Sequence, residues 1–203
     1  MASGAIDVKR RAVWLVTVVG VLLAAAAIYA GWTAAFSPKA ATLSGFGGPF
    51  ELTDQDGRTV TDADFRGKWL LVYFGYTHCP DACPTALNAI AEALDRLGPT
   101  RDRLRAVFIT LDPERDTPEV LKTYTSAFQS GIVGLTGSPT QIQAIARAYR
   151  ITYRKHPQPE DDNYTVDHTS VIFLIDPTGK PVSLFSHETP PDRLSHRLKA
   201  AIG

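Results

Sequence analysis

Hydrophobic positions follow one pattern near the N-terminus and another beyond it. From Ala12 to Phe36 no charged residue occurs, and Lys9-Arg10-Arg11 stands immediately before that run. About 20 apolar residues cross the roughly 30 Å core of a bilayer. The run also outlasts the roughly 7–15 residues of a cleavable signal core. It predicts a transmembrane anchor over 12–36 behind a short cytoplasmic N-terminus, 1–11. Trp14, Tyr29 and Trp32 fall near its ends, where amphipathic rings settle at a membrane interface. The basic cluster stays cytoplasmic and sends the remainder across. The expected protein is single-pass in the cytoplasmic (inner) membrane, with its C-terminal domain on the periplasmic side.

Residues 37–49, SPKAATLSGFGGP, are small, polar and rich in glycine and proline, and read as a tether. Beyond them the pattern becomes that of a folded domain, 50–203. Phe50–Thr53 and Arg58–Thr61 predict a hairpin turning at Asp56-Gly57. The continuous apolar run Trp69–Gly75 predicts a strand buried on both faces. A helix follows from Pro84 to Leu97, with Leu87, Ile90, Ala91 and Leu94 on one side. Strand Leu104–Leu111, helix Pro118–Phe128, strand Ile132–Leu135 and helix Pro139–Tyr149 continue the alternation. Val166–Ile175 reads as one strong strand, turned by Asp176–Gly179 into Pro181–Ser186, and Pro191–Ile202 reads as a closing helix. Strands alternating with helices predict an α/β sandwich around a mixed sheet.

Composition alters this picture little. The chain has 203 residues, 21 of them basic and 21 acidic, and a formal charge of zero. Such a balance offers no electrostatic footprint for nucleic acid. Without Asp7, Lys9, Arg10 and Arg11, 18 basic and 20 acidic residues remain, so the exported part carries −2. The sole methionine is Met1, which excludes a methionine-rich metal-scavenging surface.

Candidate chemistry concentrates in Thr77-His78-Cys79-Pro80-Asp81-Ala82-Cys83-Pro84, which holds both cysteines of the chain. Thiolates this close can form a disulfide, exchange one with a partner, or grip a soft metal. A disulfide that merely pins a loop is a poor explanation, because so short a ring restricts the unfolded chain little. Pro84 suits a first helical position. That places Cys83 at the helix start and Cys79 in the loop before it, where free amides and the helix dipole lower a thiol pKa. Outside the cytoplasm a bare pair tends toward a disulfide unless it is protected or kept reduced.

Phe74–Pro84 together with Val166-Asp-His-Thr-Ser170 resembles the Sco (SenC) family, and Leu111-Asp-Pro-Glu-Arg-Asp-Thr-Pro118 matches a further segment of it. The likeness spans 50–203 and, in general design, the anchor. It implies a membrane-tethered, thioredoxin-like copper protein with an N-terminal hairpin extension. It places copper ligands on Cys79, Cys83 and His168. It also implies a role in building the copper A centre of cytochrome c oxidase. The expected partners are the copper A-bearing oxidase subunit and an upstream copper donor or thiol reductant. Two thiolates and an imidazole suit Cu(I), and the same three can hold Cu(II). Structural zinc sites close with four ligands, and only three convincing ones occur here.

Neighbouring residues are read more plainly. Asp167 either orients His168 or faces solvent, and His78 adjoins Cys79 without being aimed at a metal. His156, His187 and His196 are expected at the surface. Asp81 contacts a partner or solvates the loop, and Phe74 and Tyr76 wall the site. Asp116 or Thr117 caps the following helix, and Asp112 contributes to a docking surface or weak metal site.

Two functions remain open at this point. One is a metallochaperone, which binds and transfers copper with no catalytic turnover. The other is a thiol–disulfide oxidoreductase that uses Cys79 and Cys83 to reduce the copper A cysteines before metal insertion. Thioredoxin-like reductases usually carry two residues between their cysteines, against three here, and have no need of His168. Copper sensing would use the same three residues. A peroxidase would require an arginine near the cysteines, and the motif has none.

Overall fold

The computed structural model describes residues 14, 17–29, 43, 45–128, 131–157 and 164–203. Two compact units divide the chain, Met1–Ala41 and Thr42–Gly203. In the first, residues 17–29 form a helix, α1. The basic cluster, the ends of the 12–36 run, and residues 37–42 and 44 of the tether lie outside the described residues. Among the described residues, no helix is long and apolar enough to cross a membrane.

The second unit is a mixed α/β fold. Its strands are β1 (Glu51–Asp54), β2 (Thr59–Thr61), β3 (Trp69–Gly75), β4 (Leu104–Thr110), β5 (Val133–Thr136), β6 (Tyr153–Pro157), β7 (Tyr164–His168), β8 (Val171–Ile175) and β9 (Pro181–Ser186). Its helices are α2 (Ala82–Asp95), α3 (Pro118–Ser126), α4 (Pro139–Ala148) and α5 (Pro191–Ile202). Seven strands form one sheet in the order β2-β1-β5-β4-β3-β8-β9, and β6 pairs with β7 in a separate ribbon. β3, β4 and β5 run parallel, whereas β8 and β9 are antiparallel additions. The N-terminal hairpin joins the sheet through β1, which pairs with β5.

The apolar run of β3 is apolar because helices cover both faces of the sheet. Leu71 and Tyr73 enter one core with Phe108, Ile172, Leu174, the inner residues of α2 and α5, and Leu121 of α3. Leu70, Val72 and Phe74 enter the opposite core with Ile109, Phe173, Ile175 and the inner residues of α4. Side chains alternate between the two cores at the strand period of two. Pro118 and Pro139 open their helices without losing a needed N–H, and Thr117 and Ser138 cap them.

Three local expectations change. α2 starts at Ala82, two residues ahead of Pro84, so Cys83 lies inside the first turn. Val166–Ile175 is two strands rather than one, broken at Thr169-Ser170, and the break sends them into different sheets. β6 was not expected at all. Its sequence, YRKHP, is mostly polar and none of its residues is fully buried, so it leaves no period-two apolar signature.

Candidate metal and thiol site

The cysteine segment leaves the end of β3 and enters α2. His78 and Pro80 face outward, Thr77 and Cys79 are half-buried, and Cys83 is fully buried against the core. Asp81 occupies the N-cap position of α2 but makes no side-chain cap. Instead the Cys83 amide donates to Cys79 Sγ at 3.4 Å. A sulfur thus takes the role usually filled by a serine or aspartate oxygen. Both cysteines are free thiols.

Their protonation differs sharply. The thiol of Cys83 donates toward Cys79, and so do the His168 ring and the amides of Cys83 and Asp81. These bonds hold Cys79 well below the ordinary thiol range, against the cost of its partial burial. Cys83 moves the opposite way, because its proton serves the Cys79 thiolate and because burial disfavours a second charge. The pair shares one proton, and it resides on Cys83.

Tyr73 lies beneath this pair, with its hydroxyl 3.9 Å from Cys83 Sγ and its ring 6.3 Å from that of His168. Burial raises the Tyr73 pKa, so it stays a neutral donor. Two residues on, Gly75 faces the same way. A Cβ there would stand 2.6 Å from Cys83 Sγ and 2.9 Å from Phe108 Cε2. Only glycine leaves the sulfur its place.

His168 arrives from the far end of the sequence, as the last residue of β7. Its Nε2 lies 3.6 Å from Cys83 Sγ, and its Nδ1 lies 3.2 Å from the Thr169 carbonyl. The Nδ1 contact fixes the ring so that Nε2 points at the cysteines. These contacts are pairwise. Among the described residues, no group of three or more His, Cys, Asp or Glu side chains is drawn together as a metal cage.

The surrounding expectations divide. Tyr76 does wall the site, its ring 6.2 Å from that of His168. Phe74 does not, because it packs on Tyr149 and Phe173 across the sheet. Asp167 pairs with His156 at 2.9 Å and is largely exposed, so it does not orient His168. His78 bonds the Thr77 hydroxyl at 3.1 Å. His196 is exposed, and His187 is half-buried with Nδ1 on the Ser170 carbonyl at 3.2 Å. Asp116 is no cap. It is fully buried and accepts the Thr77 amide at 3.0 Å, while Thr117 alone caps α3. Asp112 is also fully buried, which removes it from any docking surface. Sequence reading missed Tyr73 and Gly75. Counting by twos along β3 would have found both and would have turned Phe74 away.

Known proteins resemble this chain throughout the second unit. The sequence model of the family described as SCO1/SenC matches residues 38–203. The human mitochondrial SCO1 homolog is 45% identical over 141 residues, which is 68% of this chain and 47% of that protein. This chain spans about half the length of the human and mouse relatives it matches. The structure of Bradyrhizobium japonicum ScoI with copper bound is 46% identical, with a TM-score of 0.72 over 76% of this chain and 98% of that one. BsSco, described as a member of the Sco family of cytochrome c oxidase assembly proteins with a disulfide switch, is 25% identical. It superposes with a TM-score of 0.63 over 78% of this chain and 95% of that one. With that fold, and with its cysteine pair and distant histidine brought to one place, the chain belongs to the SCO1/SenC family.

Proposed function

We propose that this chain is a copper carrier that takes the ion on Cys79, Cys83 and His168 and hands it to the copper A site of cytochrome c oxidase during assembly. The observation that carries this reading is the approach of His168 Nε2 to Cys83 Sγ, 3.6 Å apart across 85 residues of sequence. Disulfide exchange can proceed with the two thiols alone and does not require an imidazole there. Copper makes use of one, because imidazole and thiolate together suit both of its oxidation states. The copper-bound ScoI relative supports the cargo, and the description of BsSco supports oxidase assembly as the setting.

The protonation pattern supports it as well. Cys79 is already a thiolate at neutral pH, and only Cys83 has a proton to give up when copper arrives. The 12–36 run supports a tether in the inner membrane with the 50–203 domain on the periplasmic side. Val18, Val19, Val21, Leu22, Leu23 and Ile28 of α1 are all exposed, as a lipid-facing helix requires.

Anaerobic titration of the full chain in detergent with Cu(I), against a competing chelator, tests the carrier. One tight equivalent is expected, weakened by about 10–100-fold in His168→Ala and abolished in Cys79→Ser/Cys83→Ser. Binding indifferent to His168 would overturn the three-ligand reading.

A second reading is favoured by one observation, the half-exposed thiolate of Cys79 beside the buried thiol of Cys83. Cys79 would attack a disulfide of the oxidase subunit, forming a mixed disulfide and releasing one target thiol. Cys83 would then displace the second, leaving the target reduced and this chain as the Cys79–Cys83 disulfide. An upstream dithiol would restore it. Cys83→Ser should trap the mixed disulfide with a target peptide, and failure to trap any would sink this role.

A further inference from the structure

One short loop touches both halves of the candidate site. Between β4 and α3, Asp112 and Asp116 are both fully buried, and one turn relates them. The Asp112 carbonyl accepts the amides of Arg115 at 3.2 Å and Asp116 at 3.0 Å. Asp116 holds the cysteine side. It accepts the amide and hydroxyl of Thr77, at 3.0 and 2.6 Å, and the hydroxyl of Thr110.

Asp112 holds the histidine side. It accepts the Nε–H of Arg115 and the hydroxyl of Tyr164, the first residue of β7. Arg115 also donates to the Tyr164 carbonyl at 3.0 Å and lies 3.6 Å above its ring. Lys155 of β6 completes the cluster, with Nζ 3.5 Å from Asp112 and 3.3 Å from the Tyr164 hydroxyl. Both strands of the ribbon that carries His168 are therefore fastened to this loop. Val166 gives the ribbon an apolar contact with the core, but such a contact is non-directional. The guanidinium fork and the stacked ring are directional.

We propose that Arg115 and Tyr164, tied to Asp112, are positioning residues that set His168 at its distance from the cysteine pair. The loop acts as a gauge, with Asp116 registering the cysteine lead-in and Asp112 registering the ribbon. This rests on the copper reading above, since only a ligand role makes that distance matter.

Hydrogen exchange and Cu(I) competition on the full chain in detergent test it together. Tyr164→Phe removes one hydroxyl from a half-buried site and keeps the ring, so the fold should survive. Amides of β6 and β7 should exchange about tenfold faster, with those of β3 unchanged. Cu(I) affinity should fall about tenfold, yet less than about twofold when His168 is already alanine, because the clasp acts through that residue. Arg115→Ala should move every quantity further in the same direction. Unchanged ribbon exchange, or equal affinity losses in both backgrounds, overturns the clasp. A wild-type chain that holds no Cu(I) overturns the copper reading instead, and ribbon exchange, measured without metal, still decides whether the clasp exists.

Discussion

The cysteines and the histidine reach the same place from unlike parts of the molecule. Cys83 is fully buried in the first turn of α2, packed over β3, an inner strand of a seven-stranded sheet. His168 ends a two-stranded ribbon outside that sheet, and polar contacts fasten its other end. One half is part of the core, so altering it should disturb the fold. The other is attached to the core, so altering it should change chemistry and leave stability nearly alone. On the proposed copper reading, the two soft ligands belong to the core and the third to a ribbon fastened from outside it.

The largest effect expected is on the rigid half. Leu87→Ala, at a fully buried position of α2, should cost about 2–5 kcal/mol, read from the urea midpoint. A cost below 1 kcal/mol would break the comparison, because the cysteine helix would then not be core. Next comes Gly75→Ala, which adds one carbon where Cys83 Sγ and Phe108 leave no room. About 1–3 kcal/mol is expected, by the same measurement, together with weakened Cu(I) binding. A neutral result would mean that the sulfur moves freely.

A pH series sharpens the contrast within the pair itself. The Cys79 pKa is lowered, so its thiolate persists as pH falls below 7 and is lost only as pH drops through that lowered value. An ordinary thiol fades as pH falls through about 8.5. The Cys83 pKa is raised, so it keeps its proton across the same range. Iodoacetamide should label Cys79 at pH 6 nearly as fast as at pH 8 and leave Cys83 unlabelled. Cu(I) binding at pH 7 should release about one proton rather than two, as calorimetry in buffers of differing ionisation heat would show. The smallest effect is on the other half. His168→Ala should shift stability by no more than about 0.5–1 kcal/mol while sharply weakening Cu(I) binding. A larger loss would make His168 a core residue like Cys83.

Most of the fold was legible because its central strands are buried on both faces and its helices on one. β3, α5 and the closing hairpin carry their burial in their residue types. The cysteine motif and His168 were visible as chemistry, but their approach depends on a break at Thr169-Ser170 that redirects β7 away from β8. Two consecutive polar residues in an apolar run were the available signal. Asp112 and Asp116 could not be placed from sequence. An aspartate before a helix looks the same whether it caps the helix or is buried among partners from distant segments. Only the tertiary fold brings Thr77 and Tyr164 to that loop. Lys155 and β6 were hidden likewise, since polar residues on a two-stranded ribbon resemble any loop.

The absent side chain at Gly75 bears on anyone who would transplant this chemistry. Grafting the segment from Cys79 to Cys83 onto another α/β scaffold would carry the sulfurs but not their clearance. A host with alanine at the matching strand position would set a methyl group 2.6 Å from the buried sulfur, which would have to leave its place. A portable version must include a residue that no scan for reactive groups would ever select.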